Sequence, residues 1–94
     1  MGNPVTVAIE VLPFCDDPYP VVDKAIAVIQ QSGVKHLVGP METTMEGDLD
    51  TLLDVAKAAH RACFVPGVRG VVTFIKIGDS VSGSTIDDKL AKYR

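Results

Sequence analysis

The residues whose types best suit the binding of a small molecule lie close together in the middle of the chain. They supply two thioethers, a hydroxyl and a carboxylate, from Met41, Met45, Thr43 and Glu46. A carboxylate, a hydroxyl and apolar side chains are the kinds of group that a small-molecule site combines. The sequence shows no nucleophile beside a base, no metal-ligand cluster and no glycine-rich phosphate loop. We therefore expect binding without catalysis, no bound metal and no cofactor.

Two further residues are candidates for the same site, and most of the candidates also have a structural interpretation. Phe14 flanks the first loop, where its ring could stack on a ligand or lie at the edge of the core. His60 lies on the apolar stripe of a predicted helix, where it could contact a ligand or be buried with a backbone carbonyl as its partner. Glu46 could instead accept amides at the start of the next helix. Thr43 could be an ordinary strand residue.

Two hydrophobic periods divide the chain into strands and helices. Residues 5–12 alternate every second residue, which predicts a strand that Pro13 ends. The other predicted elements are a helix with its stripe at Val22, Ala25, Ile26 and Ile29 and its C-cap at Gly33, strands over 34–39 and 41–46, a helix that starts at the N-cap Asp48 and ends before Pro66, a strand over 71–77, and a tail helix over 85–93 capped by Ser84. Alternation puts Thr43 and Glu46 on opposite faces of their strand, so they converge only if Glu46 turns out of it or the pocket lies at a subunit edge.

The element order β-α-β-β-α-β predicts an α+β fold, the ferredoxin-like sandwich. Right-handed crossovers then give one four-stranded antiparallel sheet with two helices on one face, followed by a short C-terminal helix. No predicted element covers the other face, which carries Leu12, Val72 and Phe74 and is too apolar for water. We expect a second subunit to cover it. On the same face, Glu10 and Lys76 of neighbouring strands are expected to form an ion pair.

Composition limits the class of protein and its partners. The 94 residues predict a single domain over 1–94. Nine basic and twelve acidic residues give a net charge of -3 without a Lys/Arg cluster, so nucleic acid is not an expected partner. No apolar run is long enough to span a bilayer, and we expect no membrane partner. The mean hydropathy of +0.25 is high for a domain of this size and favours a homo-oligomer, a dimer or tetramer.

The cysteines and the amino-terminal residues indicate the compartment. Cys15 and Cys63 lie far apart in the sequence, without a C-x-x-C motif or a histidine at ligand spacing. We expect two free thiols in a reducing environment. The first residues carry no basic segment followed by an apolar stretch. We therefore expect a cytoplasmic protein.

Three segments resemble the small thiamine-binding protein family. They are Gly33 to Gly47, with the signature Pro40-Met41-x-Thr43-x-x-Glu46-Gly47, then Ala59-His60, and then Thr73-x-Ile75-Lys76-Ile77-x-Asp79. The resemblance extends from Ile9 to Lys89 and implies a ferredoxin-like fold, dimers and tetramers, and non-catalytic binding of thiamine or its hydroxymethyl-aminopyrimidine moiety. The chain differs from the family pattern at Gly78 and Ser80, where an acidic residue and an arginine are common.

Two functions are consistent with these observations. The first is binding of thiamine or a related pyrimidine, as a carrier, buffer or sensor, with Met41, Thr43, Met45, Glu46, Phe14 and His60 as the candidate ligand contacts. The second is a structural or regulatory oligomeric subunit that binds only protein through its apolar sheet face. Heat released on addition of a thiamine analogue would separate the two.

Overall fold

The fold is a four-stranded antiparallel sheet covered on one face by two long helices. In the computed structural model, which describes residues 3–93, the elements are β1 (Val5–Phe14), α1 (Tyr19–Ser32), β2 (Lys35–Val38), β3 (Thr43–Gly47), α2 (Leu49–Ala62), β4 (Gly70–Gly78) and α3 (Ile86–Leu90), followed by a 3-10 turn (Ala91–Tyr93). The strand order is β2-β3-β1-β4, with all neighbours antiparallel. This confirms the predicted ferredoxin-like fold with a short C-terminal helix. The predicted domain over 1–94 includes Met1, Gly2 and Arg94, which lie outside the described residues.

The core lies between the sheet and the two long helices. Odd-numbered residues of β1 point toward α1 and α2, as the period of two requires. The fully packed cluster contains Val5, Val7, Ile9 and Val11 of β1, Val21, Ala25 and Ile29 of α1, Met45 of β3, Leu52, Ala56 and Ala59 of α2, and Cys63 just after α2. Small residues in α2 allow the two helices to pack closely on each other and on the sheet.

The predicted ends of both long helices are confirmed. Gly33 follows α1 in the left-handed conformation, with φ of 81°, which glycine adopts without a steric cost. Asp48 caps α2, and its carboxylate accepts hydrogen bonds of 3.1 Å from both the N–H and the hydroxyl of Thr51.

No helix of residues 3–93 is long and apolar enough to cross a membrane.

The outer face of the sheet, which carries Thr6, Ala8, Glu10 and Leu12 of β1, is partly covered by the chain's own tail. The hydroxyls of Thr6 and Ser84 lie 2.9 Å apart, and the N–H of Ile86 donates to the Glu46 carboxylate at 2.8 Å. Ile86 is buried although it does not belong to the core between the sheet and the long helices. The prediction that no element covers this face was therefore wrong at the end near Thr6. It holds at the other end, where Leu12, Val72 and Phe74 are exposed.

The prediction that Pro13 ends β1 was wrong, because the N–H that proline lacks is not needed at this position. The strand continues to Phe14, and Pro13 lies opposite Val71 of β4. In an antiparallel pair, every second residue forms no hydrogen bond across that ladder. A proline is tolerated at such a position when its nitrogen points to an edge without a partner strand.

Three smaller predictions were also wrong. The third strand begins at Thr43 rather than residue 41, because residues 39–42 form a turn closed by a 2.9 Å hydrogen bond from the Gly39 N–H to the Glu42 carbonyl. Thr85, not Ser84, caps α3, and its hydroxyl accepts from the Asp88 N–H. Lys76 forms its ion pair with Glu42, at 2.9 Å, rather than with Glu10.

Candidate functional site

A cleft of about 470 Å³ opens beside β1 at the point where β3 ends. The β1–β3 pairing stops at Ile9 and Thr43, whereas β1 continues for five residues to Phe14. Beyond that point the 39–42 turn moves away from β1, and α1 covers the gap from the helix side. Residues 9–13 of β1, residues 39–43 and the first three turns of α1 line the cleft. Its volume suits a drug-sized ligand.

One wall of the cleft is apolar and belongs to α1. It is formed by Val22, Ala25, Ile26 and Ile29, on the stripe that the helical period predicts. Tyr19 lies at the start of this wall and is largely exposed. A phenol ring at a cleft edge offers a flat apolar surface with a polar end, which suits a heteroaromatic ring.

Thr43 provides the innermost polar group of the cleft. Its position in β3 turns its side chain toward the helices, and only 5% of the residue is exposed. Within residues 3–93 its hydroxyl forms no hydrogen bond. Every fully buried polar side-chain atom of these residues has a hydrogen-bond partner, so the Thr43 hydroxyl oxygen is not fully buried. The hydroxyl oxygen is therefore accessible from the cleft. A mostly buried hydroxyl that opens only onto a cleft is available to a ligand.

The rim of the cleft carries two carboxylates. Glu10 and Glu42 occupy equivalent positions on β1 and the 39–42 turn, one step beyond the Ile9–Thr43 pair. Lys76 reaches Glu42 and offsets one negative charge. One net negative charge from these three groups remains and attracts a cation. Met41 lies on the same rim with 76% of its surface exposed, so its thioether can contact a ligand.

A second cleft, of about 660 Å³, is larger but chemically less suitable. It lies at the opposite end of the sheet, between Asn3, Asp48 and residues 79–81. It is more open to solvent and has no comparable apolar wall. A ligand there would keep most of its water, so we assign the candidate site to the cleft beside β1.

The structure brings two of the six predicted site residues, Met41 and Thr43, to this cleft. Met45 points to the same side of the sheet but is completely buried in the core. Phe14 is half exposed at the end of β1 and does not line the cleft. The assignment of these four residues as ligand contacts remains a prediction.

Glu46 lies away from the cleft and holds the tail. It stays in β3, opposite Thr6 and Lys35, so it does not turn out of the strand. Its carboxylate accepts the Ile86 N–H and lies 3.8 Å from the Lys35 ammonium. The expected acceptance of amides at the start of the next helix, α2, was wrong, because the amide that Glu46 accepts belongs to Ile86, the first residue of α3.

His60 of α2 packs against β4 and does not line the cleft. Its Nδ1 lies 2.6 Å from the Thr73 hydroxyl of β4, and its ring meets the Phe64 ring edge to face with centroids 5.4 Å apart. The hydroxyl takes the place of the backbone carbonyl expected from sequence. These contacts satisfy one ring nitrogen and fix the ring within the fold.

Reactive chemistry has little support among the described residues. No group of three or more His, Cys, Asp or Glu side chains in residues 3–93 is arranged to hold a metal ion. Cys63 is completely buried, and this burial raises the pKa of its thiol above the ordinary value. A neutral, inaccessible thiol is a poor nucleophile. The cleft can therefore hold and orient a ligand, with a hydroxyl inside, carboxylates at the rim and an apolar wall.

Sequence reasoning missed Glu10 and Glu42 as parts of this site. Glu42 lies inside the signature segment, next to two predicted contacts, but alternation assigned it to the other face. Glu42 nevertheless lines the cleft, because β3 starts only at Thr43 and leaves the edge of β1 open beside the 39–42 turn. A signal was present in Gly39-Pro40, which predicts a turn that starts early enough to include Glu42.

Comparison with known proteins identifies relatives over almost the whole chain. Residues 7–94 match the family described as thiamine-binding protein. A UPF0045 protein of Clostridium perfringens is 44% identical over 90 residues, which cover 94% of this chain and 95% of the relative.

Two solved structures share the fold closely. A domain of unknown function, DUF77, from Bacillus cereus superposes with a TM-score of 0.92 at 54% identity and covers 100% of this chain and 93% of its own. A protein from Thermotoga maritima, for which a role in thiamine biosynthesis or salvage has been suggested, superposes with a TM-score of 0.87 at 35% identity and covers 97% and 99%.

Proposed function

The chain belongs to the thiamine-binding protein family, and on that premise we propose that it binds thiamine or its hydroxymethyl-aminopyrimidine moiety in the cleft beside β1. It does so without catalysis, as a cytoplasmic carrier, buffer or sensor. The observation that carries this proposal is the Thr43 hydroxyl, which is nearly buried, has no partner in the described chain and opens onto the cleft.

The chemistry of the cleft complements both halves of thiamine. The aminopyrimidine is a flat ring with nitrogen acceptors and an amino donor, so it matches the α1 wall and the Thr43 hydroxyl. The thiazolium is a cation and matches the carboxylates of Glu10 and Glu42 at the rim. The polar groups inside the cleft fix the pyrimidine, and the rim adds a diffuse attraction for the charged ring.

We further propose that the protein works as a homo-oligomer. At one end of the outer face Leu12, Val72 and Phe74 are exposed, and Phe74 has 55% of its surface in contact with solvent. β4 is also an edge strand whose Ile75 and Ile77 are exposed on the helix side. Apolar residues on both faces of an unpaired edge strand favour association with a second copy. The alternative function, a subunit that binds only protein, rests on this same surface.

Calorimetric titration of the protein with thiamine and with the isolated pyrimidine tests the proposed function. Thr43→Val keeps the shape of the side chain and removes the hydroxyl, so we expect both ligands to bind about tenfold more weakly. Stability should change little, because the hydroxyl has no protein partner to lose. The matched control is Thr44→Val, which removes a hydroxyl from the outer face of the same strand. Absence of heat with both ligands would overturn the proposal and leave the protein-binding subunit.

Salt dependence shows which end of the ligand is recognised. If the pyrimidine is held by hydrogen bonds, the isolated pyrimidine binds, and its affinity hardly changes between two ionic strengths. Thiamine should show a modest salt dependence from its charge at the rim. A pyrimidine that fails to bind, beside thiamine that binds with a steep salt dependence, would overturn recognition of the pyrimidine.

A further inference from the structure

The hydrogen bonds of β1 alternate between its two neighbours in a way that the structure fixes. Successive residues of a strand direct their N–H and C=O groups to opposite edges. The Phe14 carbonyl accepts from the Arg69 N–H at 2.9 Å, on the β4 side. Pro13 has no N–H to contribute, although it lies opposite Val71. Even-numbered residues of β1 therefore bond to β4, and odd-numbered residues point to the β3 side.

On the β3 side, the ladder ends one step before Val11. Its last pair is Ile9 with Thr43, and the 39–42 turn then closes on itself through the Gly39 to Glu42 hydrogen bond. Within residues 3–93, no backbone group of the turn bonds to Val11. The N–H and C=O of Val11 therefore point across the open edge into the cleft, which Val11 lines.

We propose that the main chain of Val11 recognises the aminopyrimidine, an inference that rests on the proposed function. Its N–H donates a hydrogen bond to a ring nitrogen, and its C=O accepts one from the exocyclic amino group. The ring thus continues the sheet at the position that a residue of β3 would otherwise occupy. Thr43 lies on the adjacent strand end and can bind a second polar atom of the ring.

The pattern of groups at this edge favours a small ring over a peptide strand. Val11 presents one donor beside one acceptor, and an aminopyrimidine presents an acceptor beside a donor. The next residue that faces this edge is Pro13, which lacks the donor that a longer ladder requires. A peptide would therefore lose a hydrogen bond at its second step, whereas a single ring needs only the Val11 pair.

The test compares Val11→Pro with Val11→Ala. Val11 lies opposite Thr73 in a pair that does not hydrogen-bond across β1 and β4, so proline breaks no hydrogen bond to β4 and removes the N–H that faces the cleft together with the valine side chain. Val11→Ala keeps this N–H and measures what the lost side chain contributes. We expect Val11→Pro to bind the pyrimidine about tenfold more weakly than Val11→Ala. Equal affinity of the two variants would overturn the inference.

A second measurement does not depend on the folding of either variant. In ¹⁵N-labelled wild-type protein titrated with the isolated pyrimidine, the Val11 amide resonance should shift downfield and its hydrogen exchange should slow. The 4-oxo analogue of thiamine, which has a carbonyl acceptor in place of the amino donor, should bind more weakly than thiamine. Ligand binding that leaves the Val11 amide unchanged would overturn this inference and leave the proposed function intact. Absence of binding by wild type would overturn both.

Discussion

At the scale of single residues, one sequence signature contains groups with different roles. Thr43 opens onto the cleft, Met45 fills the core, and Glu46 holds the tail against the sheet. Alternation separates the first two from Glu46, as the sequence predicts, because the strand is regular between them. The role of Glu46 could not be predicted, because its partner, the Ile86 amide, is 40 residues away in the sequence.

Glu46→Ala should therefore lower stability. The change removes the acceptor of the partly buried Ile86 N–H and the carboxylate beside Lys35, and we expect the free energy of unfolding to fall by about 1 kcal/mol. Chemical denaturation followed by circular dichroism measures it. Asp54→Ala is the control, because it breaks an exposed ion pair with Lys57 that contributes little. Weaker ligand binding at unchanged stability would contradict this role and restore Glu46 as a ligand contact.

At the scale of elements, features that depend on residues nearby in the sequence were predicted correctly. Features that depend on which edge of a strand has a partner were not. The caps Gly33 and Asp48 act within a few residues of their own helices, so the sequence predicts them correctly. The prediction that Pro13 ends β1 was wrong, because the effect of a proline depends on which edge of β1 has a partner strand. The cleft depends on the same information, since it exists only where β3 stops before β1. A pattern along one strand does not contain the length of its neighbour.

The two ends of β4 allow a test of how tightly the tail packs. A Cβ at Gly78 would lie 2.7 Å from the Thr6 hydroxyl and 3.4 Å from the Ser84 hydroxyl. Gly78→Ala should therefore lower the free energy of unfolding by about 1–3 kcal/mol. At the other end, a Cβ at Gly70 would meet the Phe14 ring at an ordinary 3.6 Å, so Gly70→Ala should not destabilise. Thermal melts of both variants give the comparison, and equal melting temperatures would show that the tail gives way.

At the scale of the whole molecule, exposed apolar side chains are concentrated on the edge strand β4, although Leu37 and Val38 of the opposite edge strand are exposed as well. The α1 and α2 side of β1 and β3 is well packed, whereas Phe74, Ile75 and Ile77 of β4 are exposed on both faces of the sheet edge. Within residues 3–93, the tail covers the outer face near Thr6. An exposed apolar edge strand of this kind favours association with a second copy.

We expect wild type to have two or four times the 10.0 kDa mass of the chain by light scattering at micromolar concentration. Phe74→Lys should shift it toward the monomer, because a charge at the centre of β4 opposes burial of the edge. The control is Val81→Lys, since Val81 is a fully exposed apolar residue in the loop after β4. A monomeric wild type would contradict the expectation outright, and an unchanged mass of Phe74→Lys would move the interface away from β4.

The unequal burial of the two thiols gives the molecule a single natural position for a reporter dye. Cys15 is partly accessible and follows β1 directly, beside the end of the cleft that Pro13 and Pro18 line. Cys63 is enclosed between α2 and the sheet, and its raised pKa keeps it as the unreactive thiol. A maleimide fluorophore would therefore label the native protein at Cys15 without any engineering of the chain. A change in its emission on addition of thiamine, absent with an unrelated cation, would then indicate that thiamine occupies the neighbouring cleft.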